Sequence, residues 1–210
     1  MRTALVTGAN RGIGFAIAKL LATRGDIRVL TAARNGEDAH ATVAHIGHDT
    51  VAVTLDLSDP IHVEHQAQEI EAGYGPIDIL VNNAAILTYG SLVEIHATDL
   101  TESIAVNAIS PFSLIRALGP GMKARGWGRI VNVSSSWGQF SEGMTGPAAY
   151  AISKAALNAI TLSAAAELGP EVKVNATCPG VVRTRMGGTA RREVARGRGR
   201  YAGVASHAAG

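Results

Sequence analysis

Tyr150 and Lys154 are four residues apart, inside the strongly periodic stretch Ala148–Leu168. Residues i and i+4 share one face of a helix. An ammonium beside a phenol favours the phenolate, so the Tyr150 pKa should fall from about 10 toward the working range. That would make Tyr150 a usable general acid or base. Taken alone, such a pair is more often an ordinary surface pair. Upstream, Val131-Asn132-Val133-Ser134-Ser135-Ser136 reads as a strand that ends in hydroxyls. At the carboxyl end of a parallel strand these would face a ligand crevice. The bland alternative is a turn or capping serine.

A second kind of chemistry lies at the other end of the chain. Thr7-Gly8-Ala9-Asn10-Arg11-Gly12-Ile13-Gly14 follows an apolar strand and opens a helix. Glycines there allow a tight turn and let a pyrophosphate approach the helix N-terminus, whose free N–H groups and dipole favour anions. The spacing is Gly-x-x-x-Gly-x-Gly rather than Gly-x-Gly-x-x-Gly, and a flexible turn is the alternative. The second strand ends at Ala33-Arg34. A carboxylate at that place would hold a ribose 2′-hydroxyl, whereas an arginine accommodates a 2′-phosphate. Arg34, with Arg11 reaching from the glycine turn, therefore favours NADP(H) over NAD(H). Two solvated surface arginines are the competing reading.

These residues need elements to carry them, and the pattern supplies them. Strand-like runs at 3–7, 27–33, 51–55, 77–81, 129–133 and 172–176 alternate with helical stretches at 15–23, 37–46, 60–72, 98–123 (interrupted near Pro111) and 148–168. Asp59 followed by Pro60 is a helix start. Such alternation means βαβ units and an α/β fold whose parallel sheet is covered on both faces. The 210 residues, 47% of them hydrophobic, suit one large domain with its own core. No apolar run reaches the length of about 18 residues that a membrane span needs. A single cysteine, Cys178, excludes an internal disulfide. It is expected to be buried at a strand end and unreactive. His62-x-x-His65 has no accompanying ligand cluster, so no metal site is expected. Met1-Arg2-Thr3 leads straight into a strand without a signal-peptide layout, so a cytoplasmic protein is expected.

Charge is unevenly spread. From Arg183 onward seven arginines stand against Glu193 alone, a surplus of six, while the preceding body holds 12 basic and 16 acidic residues. A basic tail can bind nucleic acid, but Tyr201 is the only aromatic residue there, so no nucleic-acid partner is expected.

Taken together, the motifs resemble the short-chain dehydrogenase/reductase family in its Tyr-x-x-x-Lys form, over residues 3–186. The phosphate turn matches at Gly8, Asn10, Arg11, Gly12, Ile13 and Gly14. The adenine-side pair matches at Asp56 and Leu57, and the Asn-Asn-Ala motif at Asn82, Asn83 and Ala84. Asn107 matches the helix asparagine, and Ser135, Tyr150 and Lys154 the catalytic set. Pro179, Gly180, Val182 and Thr184 match the segment beside the nicotinamide. The glycine turn with Arg34 resembles the NADPH-dependent carbonyl reductase branch.

The resemblance implies a single Rossmann-like, doubly wound sheet and reversible hydride transfer between NADP(H) and a ketone or aldehyde substrate. In it Tyr150 serves as general acid or base and Ser135 holds the carbonyl oxygen. Lys154 lowers the Tyr150 pKa and binds ribose, and Asn107 supports a water that feeds protons through Lys154.

The sequence also departs from the family. Ala85 stands where a glycine is usual. About six strands can be placed and a seventh cannot, so residues 1–186 read as the NADP-binding catalytic domain and 187–210 as a poorly ordered Gly/Ala/Arg-rich tail. An exposed sixth strand leaves room for a homo-oligomer. Trp137, Phe140 and Met144, with Tyr89 opposite, are expected to line the substrate pocket or simply to pack their loop. The alternative function is a non-catalytic NADP-binding remnant with an incomplete pocket.

Overall fold

A computed structural model describes residues 1–180 together with Val182 and Met186. The strands are β1 (Arg2–Thr7), β2 (Ile27–Ala33), β3 (Thr50–Thr54), β4 (Ile79–Asn82), β5 (Gly128–Val133) and β6 (Val172–Thr177). The helices are α1 (Gly12–Ala22), α2 (Gly36–Ile46), α3 (Pro60–Tyr74), α4 (Ala97–Ile104), α5 (Ser110–Ala124) and α6 (Ala148–Leu168). All strands are parallel, in the order β3-β2-β1-β4-β5-β6. The expectations about Thr184, a seventh strand and the tail over 187–210 fall outside the described residues.

Alternation along the strands explains the two covered faces. In β1 the side chains of Ala4 and Val6 join Val29, Ala18 and Ala22 on one side of the sheet. Leu5 points the other way, into a cluster with Leu30, Leu80, Ile130, Leu114, Leu118 and Met122. Successive strand side chains face opposite sides, so a strand apolar at every position must be sandwiched between helices. The chain builds outward from β1 to β3, then returns across the sheet to β4. Direction therefore reverses between β1 and β4, and in open α/β sheets the crevice beyond the strand carboxyl ends at that reversal binds ligands.

Helix ends follow their sequence signals. Asn35 caps α2 by accepting from Asp38 N at 2.8 Å, and Asp59 caps α3 by accepting from Ile61 N at 3.1 Å, with Pro60 at the first position. The long helix expected over 98–123 is instead two helices joined by a widened π turn, Ala105–Ile109. Pro111 follows the π turn by two residues; it offers no N–H to the carbonyl four residues back, which is that of Asn107 within the turn. Ala85 is not among the residues with positive φ, so its methyl imposes no backbone strain. No helix among the described residues is long and apolar enough to cross a membrane.

Candidate active site

The glycine turn joins β1 to α1 at the sheet reversal. Gly8 and Gly12 have φ of 62° and 57°, which a side chain resists. Gly14 is needed for a different reason. A Cβ there would collide with Gly8 O and the Asn83 side-chain amide. The helix start is thus drawn tightly against the strand exit. Asn83 braces the turn, donating from Nδ2 to Thr7 O at 2.9 Å and Gly8 O at 3.2 Å. Thr7 Oγ1 accepts from Asn83 N and Ala84 N at 3.0 and 3.1 Å. Both Asn83 amide hydrogens are therefore spent on the protein's own backbone.

Unlike α2 and α3, α1 starts without a side-chain cap, and unlike α2 it has no acid in its first turn. Its opening N–H groups have no side-chain acceptor, which leaves them to an anion. Turn, close approach and uncapped helix together fit a cofactor pyrophosphate.

On the adenine side, Arg34 and Arg11 are exposed, and neither has a carboxylate partner among the described residues. One acid does lie near. Asp38 in the first turn of α2 receives Asn10 Nδ2 at 3.2 Å and Asn35 Nδ2 at 3.3 Å. The sequence reading found no acid at the end of β2 because Asp38 reaches back only through the fold. Asp56 is exposed after β3 and accepts from Ser58 N at 2.9 Å. Leu57 is buried in the core, and its carbonyl accepts from Ser110 Oγ at 2.8 Å.

α6 presents its functional face to the end of β5. Lys154 is only 2% exposed and donates to Val133 O at 2.7 Å. Burial pushes its ammonium down to about 8. Tyr150 is buried beside it, with the Lys154 Nζ 5.5 Å from the ring centroid. Here the structure reverses an expectation. Burial pushes the Tyr150 phenol up to about 12, with a smaller upward push from Cys178. The lysine does not lower it, because Nζ is turned to a backbone carbonyl and is itself desolvated.

The serines separate by their partners. Ser134 is buried and donates to Asn158 Oδ1 at 2.7 Å. Ser136 is exposed, and its N–H donates to Cys178 Sγ at 3.1 Å. Ser135 Oγ accepts only a long bond from Trp137 N, 3.3 Å, which leaves its proton uncommitted among the described residues. Cys178 is exposed rather than buried, since β6 ends one residue before it.

Asn107, fully buried in the π turn, donates to Ile86 O at 2.9 Å and Ser153 Oγ at 3.0 Å and accepts from Ile86 N at 2.8 Å. Ser153 in turn donates to Tyr150 O at 2.7 Å. Asn107 thus ties the loop after β4 to the helix that carries Tyr150, and its side chain has no N–H left for a water.

Of the expected pocket residues, Trp137 meets Tyr150 edge to face at 6.1 Å and 85°. Tyr89 and Phe140 stand in solvent, 73% and 81% exposed. Met144 is half-buried and has a φ of 51°. Pro179 and Gly180 are exposed beyond β6, and Val182 is half-buried. His62 and His65 lie exposed on α3, beside Asp59 (2.7 Å) and Glu69 (3.5 Å) respectively.

The family model described as short chain dehydrogenase matches residues 2–195. The chain belongs to the short-chain dehydrogenase family. Among curated members, it is 36% identical over 186 residues to the 3-oxoacyl-[acyl-carrier-protein] reductase FabG of Escherichia coli, covering 88% of this chain and 75% of that protein. It is 38% identical over 183 residues to a sorbitol dehydrogenase of Cereibacter sphaeroides, covering 86% and 70%.

Solved short-chain dehydrogenase structures superpose closely. One from Streptomyces avermitilis gives a TM-score of 0.79 at 37% identity, covering 87% of this chain and 66% of that one. A metagenomic short-chain oxidoreductase in complex with NADP gives 0.76 at 37%, covering 87% and 83%. The relatives are oxidoreductases, and a bound NADP in one of them supports a nicotinamide cofactor here.

The sequence reading missed Asp38, Asn158 and the bracing part of Thr7. Only Asn158 carried a local signal: it lies one further turn along the Tyr150/Lys154 face.

Proposed function

We propose that this short-chain dehydrogenase is an NADP-dependent carbonyl reductase, working reversibly on a ketone or aldehyde with Tyr150 as general acid. The single observation that carries the reading is α6 with Tyr150 and Lys154 packed against the end of β5, where the half-buried Ser135 keeps an uncommitted hydroxyl proton while Ser134 has spent its own on Asn158. The catalytic unit is placed within residues 1–186.

The glycine turn, the open start of α1 and the pair Arg11/Arg34 would hold the phosphates of NADP(H). Gly8, Asn10, Gly12, Ile13 and Gly14 form the turn, with Asp56, Leu57, Asn83, Ala84, Pro179, Gly180, Val182 and Thr184 along the rest of the cofactor. When bound, the nicotinamide supplies the hydride. Tyr150 gives its proton to the carbonyl oxygen, and a phenol kept protonated by burial is in the right state to do so at neutral pH. Ser135 donates a hydrogen bond to the same oxygen, where negative charge develops. Lys154, brought down to about 8, is poised to return a proton to the phenolate. Asn107 serves by holding the Tyr150 turn through Ser153, so any water it positions must be bound by its main chain.

The test follows NADPH oxidation at 340 nm with ethyl acetoacetate, aromatic ketones and aliphatic aldehydes, with Tyr150→Phe alongside. Turnover lost in the variant supports the reading. No turnover in the parent, with NADPH binding weakened by Arg34→Ala, would instead support a cofactor-binding remnant.

A further inference from the structure

The chain leaves β5 through Ser134 to Gly138, the first five residues of its connection to α6, and the reading above depends on where the middle of that turn sits. A single amide grips both ends of it. Asn158 Oδ1 accepts from Ser134 Oγ at 2.7 Å, and its Nδ2 donates to Gly138 O at 3.0 Å. Between these anchors lie Ser135 and Trp137, themselves joined by the 3.3 Å bond from Trp137 N to Ser135 Oγ.

The turn also lies hard against α6. A Cβ on Gly138 would come within 2.6 Å of the Lys154 backbone carbon and Cβ. Trp137 is wedged the same way, since a Cβ on Gly146 would strike its indole. Its ring then meets Tyr150 edge to face. The helix that supplies the phenol thus also dictates the place of the serine hydroxyl.

We propose that Asn158 is a positioning residue: it spans the Ser134–Gly138 turn and thereby sets Ser135 Oγ and the Trp137 indole relative to Tyr150. The inference rests on Tyr150 and Ser135 acting as proposed above. Asn158 belongs to neither the cofactor turn nor the reacting groups. Its role requires one acceptor and one donor on a short side chain, which an amide has and a carboxylate or alkyl group lacks. Misplacing a reacting group by about 1 Å can cost on the order of 100-fold in rate, so small shifts of this turn would show in kcat.

The test uses the full chain, NADPH and ethyl acetoacetate. Asn158→Leu should lower kcat by about 10- to 100-fold, with the KM for NADPH unchanged, because the cofactor's phosphate turn lies between β1 and α1. In a Ser135→Ala background the same change should have little further effect, since Asn158 acts through that serine. Full additivity, or an unchanged kcat, overturns the proposal.

Should Asn158→Leu fail to fold, Asn158→Asp keeps the Ser134 bond and loses only the one to Gly138. It is then expected to give an intermediate kcat, and parental kcat from it overturns the proposal. A second readout needs no turnover. In a Trp127→Phe background the remaining tryptophan is Trp137, and Asn158→Leu should raise its quenching by acrylamide; unchanged quenching counts against the proposal. Parental turnover in Tyr150→Phe would sink the proposed function instead, and the quenching measurement would still decide the role of Asn158.

Discussion

Lys154→Met probes the most unfavourable burial in the site. The lysine is 2% exposed, and its ammonium is brought from 10.5 to about 8 by loss of water. At pH 7 it is protonated in both folded and unfolded chains, so the folded protein bears the whole cost of a buried charge. Between pH 8 and 10.5 the folded chain has released the proton while the unfolded chain still holds it. Stability then rises with pH through that window. The gap is worth about 3 kcal/mol, at about 1.4 kcal/mol per pH unit. Methionine fills similar space and cannot titrate. It forfeits the bond to Val133 O, a loss of about 1–3 kcal/mol that does not change with pH.

The assay is urea unfolding of both proteins from pH 7 to 10. The stability of the parent minus that of the variant should climb by about 2–3 kcal/mol over this range. Above pH 10 the parent should lose stability again, because Tyr150 keeps its proton up to about 12 in the fold and releases it near 10 when unfolded; Lys154→Met retains that fall. A flat difference curve from pH 7 to 10 would refute the reasoning and mean that Lys154 reaches water.

Five other variants have outcomes that follow from the same geometry. Gly14→Ala places a methyl against Gly8 O and Asn83, and should abolish NADPH binding by calorimetry while lowering Tm. Arg34→Ala should raise the KM for NADPH by about 10- to 100-fold, the loss expected for one charge-assisted phosphate contact, and leave that for NADH nearly unchanged; Asp38→Asn, removing the acid beside Asn10, should shift preference further toward NADPH. Ser135→Ala should cut kcat by about 100-fold or more. Ser134→Ala should cut it less and chiefly through the Asn158 bond.

Much of the fold was legible because its signals are short-range. The apolar run of β2 and the periodicity of α6 have the same limits in sequence and structure, Ile27–Ala33 and Ala148–Leu168. Asp59-Pro60 started a helix as its chemistry requires. Pro111 marked the break in the long helix to within two residues, but not that it takes the form of a π turn. The packing of the aromatic residues near the site was not legible. Trp137 packs on Tyr150, yet Tyr89 and Phe140 stand in solvent, and an aromatic residue near a site carries no mark of which way it turns.

What the sequence alone determined is the set of groups brought to the site: a glycine turn after a strand, an arginine at the next strand's end, and a tyrosine and lysine one helical turn apart. Those depend on neighbours within a few residues. Only the tertiary structure decided their state. It committed the Ser134 proton to Asn158, 24 residues away, and left that of Ser135 free. It brought Asp38 back to Asn10 across 28 residues, and it left Cys178 in solvent. It also reversed the expected sign of the Tyr150 shift, since desolvation depends on everything packed around a group, and spacing along one helix does not encode it.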